Sequence, residues 1–547
     1  MKKLVLSLGF FAFYPFAATA ENNVNQLIKE QQASDTIIRQ QNQVKKKDVY
    51  SSVMPKKNGD IAIPAETPCF RINEVVINND FLGGKVIKAI KKSISGRCLG
   101  TLGITKLAQH LQDSFINAGY ITTRIAIPQQ DLSSHQLILN VIPGKIDEIV
   151  IGQDSVASLI LPFSRGDILN IRNVEQGLEN LQRVPGVDVK INIEPGSRDG
   201  YSRIVVYTDR QQGWNIRASV NNRGDKSTGQ MLTGLSGYAY NIAHISDVFY
   251  LSGSRSSSGG YHSMSAWYSF PLGYWEHEFF YSYSLSRQAI TADMPNLNYK
   301  GENHYASIKT SRTLYRDRDK KVAVFIEALR RKSDYRLGDI RLTLQERDMS
   351  NIHLGINYKQ NYPAAMLNST LGYQRFTHWF GGHLSPDMAQ GDVSSSSDLF
   401  SLNINYLKRI NYRSLQAFYD LNLGGQYAPA ALVLQDQLFI GHRWSVRGFE
   451  NSAGVYGDKG FYLQNTFSVN TGLADAEYYC GIDYGEVAMS RSAQQREKTK
   501  RLIGAATGFK GKFKSLGYDL SLSAPLLYPD EIKADKATMS FNLYYQI

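Results

Sequence analysis

The sequence predicts a mainly β protein, a C-terminal transmembrane β-barrel preceded by two small α/β units. Three observations carry that reading. From about Trp214 to Ile547, apolar and polar residues alternate at period two, the mark of strands with two unlike faces. The aromatic residues are rich in tyrosine (Tyr 33, Phe 24, Trp 5), and amphipathic rings suit the two interfacial girdles of a membrane barrel. Beyond the N-terminus no stretch approaches about 18 uninterrupted apolar residues, so helical membrane spans are not expected. Mean hydropathy is -0.31, but a barrel hides its lipid-facing residues in alternation.

Met1-Lys2-Lys3, an apolar run from Leu4 to Phe16, and Ala18-Thr19-Ala20 read as a secretory signal peptide over residues 1–20. Val24 to Lys47 is rich in glutamine and lysine and has no strong apolar stripe. A helix polar nearly all round needs water and polar walls about it, so this stretch is either a disordered leader or a helix in a wet channel. Ser51-Ser52, Pro55, Gly59 and Pro64 make 48–67 an extended linker. In an oxidising exported compartment Cys69 and Cys98 are expected to pair, closing a loop worth about 3 kcal/mol in the chain-entropy model. Cys480 is expected to stay unpaired.

Residues 68–144 read as strand, two helices, and two strands. Cys69 to Ile77 is the first strand, Lys85 to Ser95 the first helix. Thr105 to Ala118 carries Leu107, Ala108, Leu111 and Phe115 at helical spacing, and Gly119 stops it. Tyr120 to Ile127 and Gln136 to Ile142 close the unit as strands. Residues 145–210 are expected to repeat that order: Lys145 to Gly152 as strand, Asn173 to Arg183 as helix, then Val187 to Glu194 and Ser202 to Thr208 as strands.

Residues 211–547 read as the barrel. Trp214, Ile216, Ala218 and Val220 alternate with Asn215, Arg217, Ser219 and Asn221; Tyr518, Leu520 and Leu522 alternate with Asp519 and Ser521. A membrane forces closure, because an open sheet edge cannot survive in hydrocarbon. Strands of about 10 residues with turns and longer outer loops give roughly 14 to 18 strands, even in number. Residues 441–460 break the alternation with Gly441-His-Arg-Trp-Ser-Val-Arg-Gly-Phe-Glu450 and Tyr456-Gly-Asp-Lys-Gly460. A conspicuous insert late in the β region points to a functional loop.

The net charge of +12 raises the question of nucleic acid. No RRM, KH or zinc-finger pattern accompanies it, and an exported chain does not meet that partner; basic lumen walls and acidic lipid headgroups fit better. His277-Glu278 lacks the second histidine of a zinc-protease helix, and no G-x-S-x-G elbow or phosphate-cradling loop occurs. Neither an enzyme nor a cofactor or metal is expected.

The insert resembles the VRGF/VRGY loop of the outer-membrane transporters of two-partner secretion (the TpsB family), members of the POTRA-barrel superfamily. Gly119-Tyr-Ile-Thr-Thr-Arg124, Ile127-Pro-Gln-Gln-Asp131 and Val141-Ile-Pro-Gly144 are similar to their first POTRA domain. Arg172-Asn-Val-Glu-Gln-Gly177 with Asn180-Leu-Gln-Arg183 is similar to the second. The resemblance implies sixteen antiparallel strands and a plug helix over residues 21–47. It implies a loop inside the barrel, with Arg447 paired to the aspartate of an F-x-D-x-G strand motif, matched by Gly481-Ile-Asp-Tyr-Gly485 through Asp483 and Gly485. Gly481 stands where the family has an aromatic residue. With Val446 as part of the same loop motif, Gly448 would turn the tip and Phe449 would pack against the wall. The implied function is to recognise one large β-helical exoprotein through the POTRA domains and secrete it unfolded across the outer membrane. The cargo would be a haemolysin, adhesin or contact-dependent-inhibition toxin. The transporter itself would be a monomer among outer-membrane lipids. The alternative, a factor that inserts other barrels, usually has more POTRA domains and no plug helix.

Overall fold

The computed structural model describes residues 63–152, 158–210, 213–290, 297–413, 415–450, 454–472, 475–490 and 499–547. The expected signal peptide, plug helix and most of the linker lie outside them.

In the first unit the apolar positions of Thr101–Asn117 fold as one helical face, and Leu107, Leu111 and Phe115 are fully buried against Leu137 and Leu139. This helix begins four residues earlier than its periodicity suggested (105 − 101), because Glu66 caps it. The Glu66 carboxylate accepts from the backbone N–H of Leu102 at 2.8 Å and of Gly103 at 2.5 Å, satisfying orphan donors at the positive helix end. The first strand is broken at Asn73. Phe70–Ile72 pairs with Arg97–Leu99, while Glu74–Asn78 runs parallel to Gln136–Ile142. That small ladder sets Arg71 opposite Cys98, and Cys69 and Cys98 are disulfide-bonded. Of the expected strand Tyr120 to Ile127 only Arg124–Ala126 forms. Gly119 turns the chain, Tyr120 N donates back to Phe115 O at 2.9 Å, and the Tyr120 ring sits edge-on to Phe81.

The second unit corrects the expectation of two helices: among the described residues it has one α-helix, Ile171–Gln182, capped by Asn170, whose side chain accepts from Arg172 N. Pro162 and the turn closed by Gly166 occupy the region before it, and neither continues a helix. Its sheet is Lys145–Ile151, Tyr201–Arg210 and Val187–Pro195, with Tyr201–Arg210 central.

From Trp214 onward the chain closes a sixteen-strand antiparallel barrel, with a two-residue strand, Ile340–Arg341, added in one outer loop. The last strand, Thr538–Gln546, pairs with the first, Trp214–Asn221, from Asn542↔Asn221 to Gln546↔Arg217. Beyond that ladder Asn222 stands in for missing backbone: Nδ2 donates to Met539 O and Oδ1 accepts from Phe541 N, both at 2.8 Å. Leu251, Met264, Phe279, Ile308 and Ile326 face outward and exposed, while Ser252, Ser263, Ser265 and Ser284 face the bore. Turns at the end joined to the second α/β unit are short, such as 273–274 and 317–319; loops at the other end are long, such as 378–398 and 428–458. That asymmetry sets the first end in the periplasm and the second outside.

The second α/β unit is fused to the periplasmic rim. Its core runs without a break from Leu169, Val174 and Leu181 into Tyr238, Tyr250 and Trp267 of the barrel. Asn180 Nδ2 donates to Gly273 O at 2.6 Å, and Arg183 donates to Ser269 O and Glu276, each at 2.9 Å.

Candidate functional site

The loop 428–458, between the eleventh strand (Leu415–Tyr427) and the twelfth (Lys459–Asn470), folds into the bore instead of outward. At its start Asp436 is buried, paired with Arg331 of the seventh strand (Lys320–Leu337) and bonded to Gln374 at 3.1 Å and Ser397 at 2.7 Å. A short hairpin of Leu438–Ile440 with Val455–Gly457 frames the tip. Where the loop rejoins the wall, the fully buried Asp458 accepts from the N–H of Leu432 at 2.8 Å and of Ser490 at 2.6 Å. Burial pushes the Asp458 carboxyl up, against the donors that surround it. The loop therefore crosses the bore from the wall of strands seven to nine (Lys320–Leu337, Arg347–Asn361 and Ala365–Thr377) to that of strands thirteen to fifteen (Glu477–Ala488, Thr499–Phe513 and Leu516–Leu527).

At the tip the structure brings Arg447 and Asp483 together. Arg447 Nε donates to Asp483 Oδ2 at 2.6 Å and Nη2 to Oδ1 at 2.7 Å, a two-point grip of a planar fork on a carboxylate. The Arg447 backbone N–H adds a third bond at 3.0 Å. Asp483 is 0% and Arg447 8% exposed, so each charge is compensated inside the protein. Val446 and Phe449 are fully buried with Ile440, Val487 and Leu502, and Phe449 meets Tyr528 edge-on. Gly448 adopts φ +100, and a Cβ there would stand 2.5 Å from Ala524. Gly485 lies under Val446, whose Cγ2 would be 2.8 Å from an added Cβ.

Sequence reasoning missed what the strand contributes. The ladder between strands twelve and thirteen (Glu477–Ala488) is unpaired between Leu463↔Tyr484 and Phe467↔Cys480. In that gap Asn465 N donates to Asp483 Oδ1 at 3.1 Å, Arg447 Nη2 donates to Asn465 O at 2.7 Å, and Asn465 Nδ2 donates to Ile482 O at 3.1 Å. Gly481, read as a departure, makes this possible: a Cβ would sit 1.8 Å from Asn465 O and 2.5 Å from Arg447 Nη2. Gly504 on the fourteenth strand (Thr499–Phe513) likewise lies against the Arg447 carbonyl. A glycine inside a strand marks close approach of another backbone, and two at neighbouring wall positions were a readable signal.

A second anchor was also missed. Asp519, on the fifteenth strand (Leu516–Leu527), accepts from Arg443 of the loop, from Arg223 at 3.1 Å, and from the Tyr479 hydroxyl at 3.0 Å. Arg223 follows the first strand, so one carboxylate joins the loop to the closing seam. Cys480 is free, and Cys69 and Cys98 lie in the first α/β unit, away from this site. No group of three or more His, Cys, Asp or Glu able to hold a metal occurs among the described residues.

The chain matches known proteins along nearly its full length. Outer membrane transporter CdiB-2 of Burkholderia pseudomallei is 27% identical over 97% of this chain and 95% of its own. Hemolysin transporter protein ShlB of Serratia marcescens is 25% identical over 84% and 83%. The solved structure of CdiB from Acinetobacter baumannii superposes with TM-score 0.84 at 26% identity, covering 96% of this chain and 99% of that one. An ShlB-type POTRA domain matches residues 70–144 and a further POTRA domain residues 145–195. Residues 200–511 match the haemolysin secretion/activation protein family ShlB/FhaC/HecB, more than half of the chain. With two POTRA domains, a closed barrel and a loop docked by arginine across its bore, the chain belongs to that family, the outer-membrane transporters of two-partner secretion.

Proposed function

We propose that this transporter receives one large β-helical exoprotein of the TpsA type at its POTRA domains and passes it, unfolded, through the barrel to the cell surface. The observation that supports this most directly is the loop itself: among the described residues, a loop held by buried ion pairs to two sides of the wall crosses the bore of a closed barrel. Withdrawal of such a plug leaves the barrel's ladders paired except at the gap beside Asn465, so a passage for a polypeptide can open. The serine-rich bore face offers hydrogen bonds along which an extended polar chain can slide. Folding of the emerging chain outside can supply direction, and the activity is transport, with no catalytic step or cofactor.

Arg447, Asp483, Val446, Gly448, Phe449 and Gly485 act as the lock that holds the bore closed. The Cys69–Cys98 disulfide stiffens the first POTRA domain, and residues 21–47 supply a plug helix for the channel. The transporter works as a monomer. POTRA strands receive the exoprotein by edge pairing or groove contact, which rests partly on backbone. The test is to delete residues 68–144 and measure export together with barrel assembly. Loss of exoprotein from the medium with a normally inserted barrel supports docking at the POTRA domains; export at the wild-type level removes it. A defect in the insertion of other barrels would instead favour an assembly factor.

A further inference from the structure

The outward face of strands three to seven (Val248–Ser256, Tyr261–Leu272, Trp275–Ile290, Leu297–Arg316 and Lys320–Leu337) carries cations that the barrel's own chemistry does not use. Residues opposite one another in the ladder share a face. Arg255 is opposite His262, Arg287 opposite Lys300, and Lys300 opposite Arg336. Lys332 lies opposite His304 on the same side. All are on the parity of Leu251, Met264, Phe279, Ile308 and Ile326, the exposed apolar residues of these strands, so they point away from the bore.

Their height is set by counting. Arg287 stands twelve residues beyond Trp275, the periplasmic start of its strand (287 − 275), and Lys332 twelve beyond Lys320 (332 − 320). At about 3.3 Å per residue and a tilt near 40°, twelve residues rise about 30 Å. An apolar band is about 25 Å tall, so both charges lie just above it, at the outer headgroups. Trp275, with Arg312 over its ring, marks the inner interface, and Tyr283, eight residues beyond it (283 − 275), lies below the cations near the top of the band.

These charges are not all neutralised by neighbours. Lys300 pairs with Glu302, Arg330 with Asp348 and Arg336 with Asp334. No ion pair among the described residues reaches Arg255, Arg287 or Lys332. Elsewhere on the outer rim the outward cations Arg375 and Arg501 are each paired, with Asp398 and Glu486. Among the described strand residues at this rim, the outward cations outside any ion pair lie on the side of strands three to seven.

We propose that this face binds an outer-leaflet phosphoglycolipid, with Arg255, Arg287 and Lys332 holding its phosphates and Phe279 and Ile308 lying along its acyl chains. Guanidinium and ammonium groups at headgroup height, above an apolar wall, match a lipid that carries several phosphates on one sugar core. Neighbouring Glu302 and Asp334 discriminate against a diffuse anionic surface and favour phosphates fixed in place. The proposal rests on the outer-membrane location and not on the identity of the cargo.

The test uses the full-length protein in detergent and titrates bisphosphorylated lipid A, dephosphorylated lipid A and phosphatidylglycerol, read by native mass spectrometry. Bisphosphorylated lipid A is expected to bind at least about 10-fold more tightly than the other two, and R255S/R287S/K332S to lose that preference. Heat-modifiable mobility shows whether the variant barrel is folded. R287S/K332S, a smaller change, is expected to lose part of the preference, and R375S/R501S to keep all of it. Equal binding of the three lipids by the wild type overturns the proposal. So does an undiminished preference in a folded R255S/R287S/K332S or R287S/K332S barrel. Secretion, scored separately, is expected to continue in all three variants; its failure with lipid binding intact would speak to the transport reading alone.

Discussion

Arg447 donates from Nη2 to the backbone carbonyl of Asn465 at 2.7 Å, so the tip of a loop completes the hydrogen bonding of the barrel wall. Asp483 takes the Asn465 N–H in the same gap at 3.1 Å. In a membrane every backbone polar group of a wall must be satisfied internally. The ion pair thus docks the loop and completes the sheet at once.

R447A and D483A are each expected to cut secretion sharply while the barrel still inserts. Removing one partner of a buried, hydrogen-bonded pair costs about 3 to 5 kcal/mol, because the other charge is left uncompensated. Here the loss falls on loop docking and on the wall between strands twelve and thirteen. The exchanged pair R447D/D483R is expected to recover little, since an arginine at position 483 cannot accept from the N–H groups of Arg447 and Asn465. Export of the exoprotein and single-channel conductance check this; single variants that secrete like the wild type would sink the lock.

G481A leaves both charges in place and is still expected to loosen the loop. Its methyl group would stand 1.8 Å from Asn465 O, and its nearest neighbours are backbone and a clamped guanidinium, so the wall must shift. Overpacking of this kind costs about 1 to 3 kcal/mol. Higher conductance with an unchanged amount of inserted barrel is the expected result.

The sequence shows these features unequally, for physical reasons. Period-two alternation survives in the strands because each faces lipid on one side and water on the other, so the barrel was legible. Arg447 and Asp483 were legible only through their resemblance to a family motif, since nothing in local pattern links positions 36 residues apart (483 − 447). Asp519 read as one more polar bore residue between Tyr518 and Leu520; its partners Arg223 and Arg443 are distant in the chain. A second helix in the second POTRA domain, absent among the described residues, was expected by analogy with the first, against the turn at Gly166. Tyr120 to Thr123 has strand-forming residues, but packing of Tyr120 onto Phe81 and Phe115 wins over propensity.

D519N keeps the shape of the carboxylate and removes its charge from between two arginines. Arg223 and Arg443, each less than a quarter exposed, would then face one another without compensation. The loop and the segment after the first strand are expected to separate, raising conductance and its fluctuations with Arg447 and Asp483 intact. A cysteine cross-link between the first and last strands that forms at the same rate in D519N and wild type would show that the carboxylate does not reach the seam.

Docking of the second POTRA domain on the barrel is expected to be insensitive to pH from 8 down to about 5. Desolvation at the interface acts to raise the Glu179 carboxyl, but Lys321 at 2.7 Å and Arg316 outweigh it and hold the group well below the usual carboxylate range. A carboxylate lowered on docking contributes fully above its undocked value, about 4.3, and that contribution is lost only as pH falls towards the docked value. Hydrogen exchange over Ile171–Gln182 should therefore stay slow to pH 5 and quicken in stronger acid. Glu179 is nearly half exposed, so its pairs are screened and worth under about 1 kcal/mol, and E179Q alone should change little at neutral pH. R183A should do more, because that side chain is 12% exposed and bonds to Ser269 and Glu276 across the junction. Faster exchange in E179Q than in R183A would reverse the assignment, and quickening between pH 8 and 6 would mean that a histidine, not this carboxylate, governs the joint.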